Sequence, residues 1–138
     1  MEKITWTDDY SVGNQDMDIQ HKKIINMINA LIDARNSSAQ PSSLHQALYD
    51  MFLYSKGHLY DEERLLRKIA FDDLEQHIQK HEEYIEKMAL LSYSASFDES
   101  ETFENLIVFL KDWWEKHILV EDMKYAVELK SSPTFDSD

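Results

Sequence analysis

His58-Leu59-Tyr60-Asp61-Glu62 and His77-Ile78-Gln79-Lys80-His81 stand on either side of a break near Ala70-Phe71. Each pair is spaced i, i+4, so on a helix both side chains of a pair leave one face, a turn apart. If the chain reverses at the break, roughly ten residues either way, at about 1.5 Å rise each, bring the pairs to similar heights on neighbouring antiparallel helices. Three imidazoles and a carboxylate facing one another at one level make half of a metal site.

Working outward, Ile19, Ile24, Ile25, Ile28, Leu31 and Ile32 follow the i, i+3, i+4 pattern of an amphipathic helix over about 16–36, with His21 among them. Three later starts carry capping-box spacing: Ser43…Gln46, Asp72…Glu75 and Asp98…Glu101. They open helices over about 43–69, 72–92 and 99–130, and Pro133 supplies a stop signal after the last. Residues 1–15 lack helical period and read as an ordered arm anchored by Trp6; residues 131–138 read as a frayed tail. The expectation is an all-α, up-down-up-down four-helix bundle spanning 1–138 as a single domain. Gly57 lies inside the second helix beside His58, which suggests either close approach to a neighbour or a tolerated glycine.

The chain has 138 residues, 43% of them hydrophobic, enough for one core and too many for a disordered chain. Two Gly and two Pro favour long helices with few turns. The absence of cysteine excludes disulfides, thiolate metal sites and a Cys nucleophile. A formal charge of −13 argues against nucleic acid or an anionic membrane as partner. Met1 to Trp6 show no signal-peptide run and no segment is long and apolar enough to span a membrane, so the expected location is cytoplasmic.

Five of the six histidines fall on apolar faces: His21, His58, His77, His81 and His117; His45 sits among capping residues and reads as a surface group. A single histidine on an apolar face is more often a core residue with a partner. Five at compatible heights would each need a buried partner, at about 1–3 kcal/mol if unmet. One shared metal centre accounts for all of them. On the last helix Glu121 stands at i+4 from His117 and Asp122 at i+5. Spacing favours neither: Asp122 needs a local π-type turn or an approach from the side. Imidazoles and carboxylates without sulfur suit iron, manganese, zinc or copper. Five histidines, Glu62 and one acid from the last helix make seven ligands, too many for one octahedral ion and suited to two bridged ones.

The set His21, His58-x-x-x-Glu62, His77-x-x-x-His81, His117-x-x-x-x-Asp122 resembles hemerythrin. The segments Trp6…Val12-Gly13…Asp18-x-Gln20-His21 and Asp112-Trp113…His117-Ile118 are similar to its bacterial branch, the bacteriohemerythrins. The match covers roughly 5–125 and prefers Asp122 to Glu121. It implies two iron ions with a bridging oxo or hydroxo group. His77, His81 and His117 would hold one, His21 and His58 the other, with Glu62 and Asp122 bridging. The iron held by two histidines would bind O2 reversibly at an open position, for storage, transport or buffering and not as an enzyme; azide and nitric oxide are further ligands. Rival readings are a di-iron enzyme acting on O2, peroxide or nitric oxide, and an oxygen- or redox-sensing module. Reversibility requires a dry pocket, and Ile24, Leu59, Trp113, Trp114 and Ile118 are expected to line it, with mostly apolar groups. Three positions depart from the family habit: Leu59 for Phe, Trp114 for Leu and Leu66 for Met. Tyr125, one turn past Asp122, is a candidate neighbour of the ligands.

Overall fold

The computed structural model describes residues 1–38 and 41–131. Helices α1 (Gln15–Asn36), α2 (Leu44–Lys68), α3 (Leu74–Ser94) and α4 (Glu99–Lys116) follow an extended arm. The α4 helix runs on through a π-helical turn, His117–Glu121, into α5 (Asp122–Ser131), so the bundle has four helical rods, the last in three pieces. The expected all-α four-helix bundle is therefore the observed architecture. Among the described residues no helix is long and apolar enough to cross a membrane. Pro133 and most of the expected tail lie outside the described residues.

Three helix starts are capped by side chains. Asn14, Ser43 and Asp98 accept from the backbone N–H groups of Met17, Gln46 and Glu101, satisfying donors that the first turn leaves free. The expected cap at Asp72 is not observed. The α3 helix begins at Leu74 after Asp73, whose side chain makes no capping bond. The preceding turn has already placed the chain. Ala70 adopts φ +52°, Phe71 N–H donates to Leu66 C=O and Ala70 N–H to Arg67 C=O, both near 3.0 Å. This paired closure ends α2 and seats Phe71 beside Leu66 in the core.

Ile19 leaves the α1 stripe and is 55% exposed. The buried set is Met17, His21, Ile24, Ile25, Ile28 and Ile32, and Ile19 sits about 200° from Met17 at 100° per residue. The arm is held less by Trp6, which is half-buried, than by Ile4, Tyr10 and Val12, which are buried. The Asn29 side-chain amide exchanges two 2.8 Å hydrogen bonds with the backbone of Ile4. Asp18 accepts from Val12 N–H and from the Ser11 hydroxyl. These bonds lay the arm against α1.

A Cβ added at Gly57 would meet nothing within 4 Å, so the close-approach reading of this glycine does not hold. Gly57 and Ala70 are each the wrong way round for their backbone: a glycine inside a helix and a Cβ in the left-handed region. Gly57→Ala and Ala70→Gly are each expected to raise stability by about 0.5–1 kcal/mol. Urea unfolding midpoints check this, and a lowered midpoint for either would contradict it.

The core has two apolar clusters. The larger contains Ile24, Ile28, Leu48, Tyr84, Leu106 and Trp114, among others. The smaller gathers Val12, Met17, Leu66, Phe71, Tyr125 and Leu129 toward the α2–α3 turn. A layer of buried polar side chains lies between them.

Candidate metal centre

Each rod delivers part of that layer: α1 gives His21, α2 gives His58 and Glu62, α3 gives His77 and His81, and the last rod gives His117 and Asp122. All seven are at most 3% exposed. The i, i+4 pairs on α2 and α3 share their faces as the spacing requires. The last rod needs the π turn. Asp122 N–H donates to the carbonyl of His117, five residues back. This wider turn brings i+5 round to the face of residue i. Asp122 is thereby buried, while Glu121 lies partly exposed and pairs with Lys124 at 3.1 Å.

Glu62 is the hub. Its Oε1 stands 2.7 Å from His77 Nε2, 3.0 Å from His81 Nε2 and 3.6 Å from His117 Nε2. Its Oε2 stands 3.5 Å from both His21 Nε2 and His58 Nε2, and accepts from the Tyr125 hydroxyl at 2.9 Å. Asp122 Oδ1 lies 3.1 Å from His77 Nε2 and 3.2 Å from His117 Nε2, and Oδ2 lies 3.3 Å from His21 Nε2. Two ligand groups emerge that share Glu62: one with His77, His81 and His117, the other with His21 and His58.

The outer nitrogens tell which inner ones are free. His58 Nδ1 faces Gln20 Oε1 at 2.6 Å, and His81 Nδ1 faces Glu63 Oε2 at 2.8 Å. Both oxygens only accept, so both Nδ1 atoms carry hydrogen, and in the neutral rings Nε2 is a bare lone pair aimed inward. His81 Nε2 and His117 Nε2 lie 3.1 Å apart. Both nitrogens of His21, Nε2 of His58 and both oxygens of Asp122 are buried without a hydrogen bond. Lone pairs crowded together in a dry layer, with several of the atoms orphaned, fit a shared cation and fit poorly a set of separately satisfied core groups.

Protonation follows the same crowding. Burial opposes charge on His21, but the adjoining Asp122 and Glu62 carboxylates outweigh it and lift the ring to about 9. The same balance lifts His77 to about 10 and raises His117. His58 is lowered, by burial and then by the charge of His21. Burial would raise both carboxyls. For Glu62 the surrounding histidines win, and for Asp122 the close approach of His117 and His21, so both are held below their ordinary range.

Of the residues expected around a small ligand, Ile24, Leu59, Trp114 and Ile118 are buried in the larger cluster. Trp113 is half-buried and stacks on the His117 ring at 4.3 Å and 13°. Trp114 packs near His58 at 5.8 Å and near His117 at 6.1 Å between ring centroids. Tyr125, singled out by its place one turn past Asp122, bonds Glu62 directly. Four residues carry no expected role from sequence alone. Gln20, which also donates to Asp61 at 3.0 Å, and Glu63 support two histidines. Ser55 and Tyr84, both fully buried, share a 2.8 Å hydrogen bond. Their one signal was spacing: Ser55 stands three before His58, and Tyr84 three after His81.

Residues 12–129 match the family model for the hemerythrin HHE cation-binding domain. A hemerythrin-like protein of Naegleria gruberi is 33% identical over 122 residues, covering 88% of this chain and 90% of that protein. A bacteriohemerythrin of Stenotrophomonas maltophilia is 29% identical over 132 residues, covering 95% and 84%. A myohemerythrin of Riftia pachyptila is 29% identical over 124 residues, covering 90% and 92%.

Proposed function

We propose, for a chain that belongs to the hemerythrin family, that the buried layer holds two iron ions and binds O2 reversibly. The observation that carries the reading is the convergence of five imidazoles on Glu62 and Asp122 with orphaned donor atoms between them. When bound, the metal pair would supply two reversible one-electron oxidations and a place for O2 to bind. His21 and His58 would hold one ion and His77, His81 and His117 the other, with Glu62 and Asp122 available to both.

The chain's own contribution is orientation and dryness. Gln20 and Glu63 fix the His58 and His81 rings with Nε2 inward, the usual service of an outer hydrogen bond to a metal-bound histidine. Glu63 is a carboxylate and Gln20 a neutral amide, so the two ions receive unequal donor strength. Tyr125 donates to Glu62 and keeps one lone pair of its Oε2 engaged. Ile24, Leu59, Trp114 and Ile118 exclude water from the side of the larger core cluster. Exclusion is what favours release of O2 over irreversible oxidation of the metal.

The test is optical. The protein is loaded with ferrous iron without air, exposed to O2 and then flushed with argon. A visible charge-transfer band that appears with O2 and fades under argon is expected. A band that persists after flushing would overturn reversible binding. The buried Ser55–Tyr84 pair favours a second reading, a di-iron enzyme that activates O2 or peroxide. Sustained peroxide consumption by the loaded protein would put that reading first.

A further inference from the structure

One turn from the histidines, on the side of the larger cluster, the bundle has a second polar layer. Ser55 precedes His58 by three residues, Tyr84 follows His81 by three and Trp114 precedes His117 by three. Because α2, α3 and α4 alternate in direction, all three offsets point toward the same end of the bundle. The rise of a helix puts each about 4.5 Å above its histidine. Ile24, three after His21, completes the layer with an apolar group.

Ser55, Tyr84 and Trp114 are fully buried. Ser55 and Tyr84 hydrogen-bond at 2.8 Å, and either hydroxyl can be the donor. Whichever donates, the other hydroxyl hydrogen has no acceptor among the described residues. The Trp114 indole N–H is buried and makes no well-formed hydrogen bond; it leans on the Tyr84 hydroxyl, whose oxygen it helps to satisfy against burial, with the rings edge-on at 5.2 Å between centroids. One unpaired hydroxyl hydrogen and one loosely held indole N–H thus sit in a dry layer. A phenylalanine and an alanine would fill the same space without that cost, about 1–3 kcal/mol per unmet group. Trp114 also packs near His58, the ring assigned to the ion with the open position. Ser55 stands one turn before that same ring on α2, so the polar layer adjoins His58 from two helices.

Resting on the metal-centre reading, we propose that Ser55, Tyr84 and Trp114 form a hydrogen-bond-donating wall of the ligand pocket. The wall selects small ligands that carry an acceptor atom at the end away from the metal. Dioxygen and azide belong to that class. A single-atom anion such as fluoride does not, because it reaches no further than its own metal bond. The remaining walls, Ile24, Leu59 and Ile118, give no donor, so the preference arises on one side only.

The experiment titrates azide and fluoride separately into the iron-loaded, fully oxidised protein and follows the charge-transfer absorbance and the azide infrared stretch. Tyr84→Phe removes one oxygen and keeps the ring; Trp114→Phe removes the N–H. Each is expected to weaken azide about tenfold, the loss of one hydrogen bond to a charged acceptor, and to move the infrared stretch. Fluoride should change by less than about twofold, since no hydrogen bond is lost. Azide and fluoride weakened equally, or neither weakened, would overturn the donor wall while leaving the metal centre standing. Wild-type protein that takes up iron and binds neither anion would overturn the donor wall and the open position, and wild-type protein that takes up no iron would overturn the metal centre itself.

Discussion

Glu62→Gln should strip the protein of stably bound metal. Loaded with ferrous iron without air and then dialysed, the wild-type chain is expected to retain two ions and the variant essentially none, with affinity down by more than about a hundredfold. That figure is the upper end of the loss from removing an outer group that merely supports a ligand, and Glu62 is no outer group. Its two oxygens lie within 3.6 Å of all five imidazole Nε2 atoms. A glutamine keeps the shape, removes the charge and turns one oxygen into a donor that no longer binds a cation. Elemental analysis of dialysed protein decides the matter. Metal content equal to wild type would mean that the histidines and Asp122 suffice, and that Glu62 is only their counter-ion.

The metal-free and metal-loaded proteins should respond to pH in opposite directions. Without metal, His21 and His77 are raised from 6.5 to about 9 and about 10. A raised histidine contributes its full stability below the unfolded value near 6.5 and loses it as pH climbs through 9 to 10. Glu62 and Asp122 are lowered from 4.5 and 3.8. A lowered carboxyl contributes above those values and loses its share as pH falls below them. The metal-free protein is therefore expected to be most stable from about pH 4.5 to 6.5. It should lose stability progressively from pH 6.5 to 10, as both rings give up protons that the folded state holds and the unfolded chain does not. Metal requires the same rings neutral, so its affinity should rise with pH over that range. At pH 7 uptake should expel at least two protons, those of His21 and His77, with the raised His117 adding to them. Calorimetry in two buffers of different protonation heat measures the number directly. Buffer-independent heats, or a metal-free protein that gains stability from pH 6 to 9, would contradict this linkage.

Much of the centre could be read from spacing, because four of the seven residues come as i, i+4 pairs and that interval means one helix face wherever a regular helix runs. The resemblance to hemerythrin, carried by those residues, is borne out by the family match over 12–129. The choice between Glu121 and Asp122 was not legible from period, since a π turn is a change of period and leaves no mark in the residue types. Ile19 misled for a related reason: isoleucine content was visible, but its angle on α1 puts it 55% exposed. At Asp72 a correct cap pattern lost to the closure through Ala70 and Phe71 just before it, which sets where α3 can begin. Of the apolar lining expected around the ligand, Ile24, Leu59, Trp114 and Ile118 are buried together, and the Ser55–Tyr84 pair was not foreseen. Nothing in a lone serine or tyrosine within an apolar stripe marks it as half of a hydrogen-bonded pair across two helices.

The polar layer that parts the two apolar clusters also sets where this molecule breathes. Helix backbones cross the layer unbroken, but of the apolar side chains only the half-buried Met123 packs against both clusters among the described residues, so the smaller cluster around Val12, Phe71 and Tyr125 is joined to the rest largely through the histidines and carboxylates. With a cation bridging them, the two ends should exchange amide hydrogen for deuterium as one cooperative body. Without it, the smaller end has fewer buried contacts to keep it closed and should open first and alone. Fast deuterium uptake confined to residues flanking the α2–α3 turn would then mark the door through which a metal ion reaches its seat.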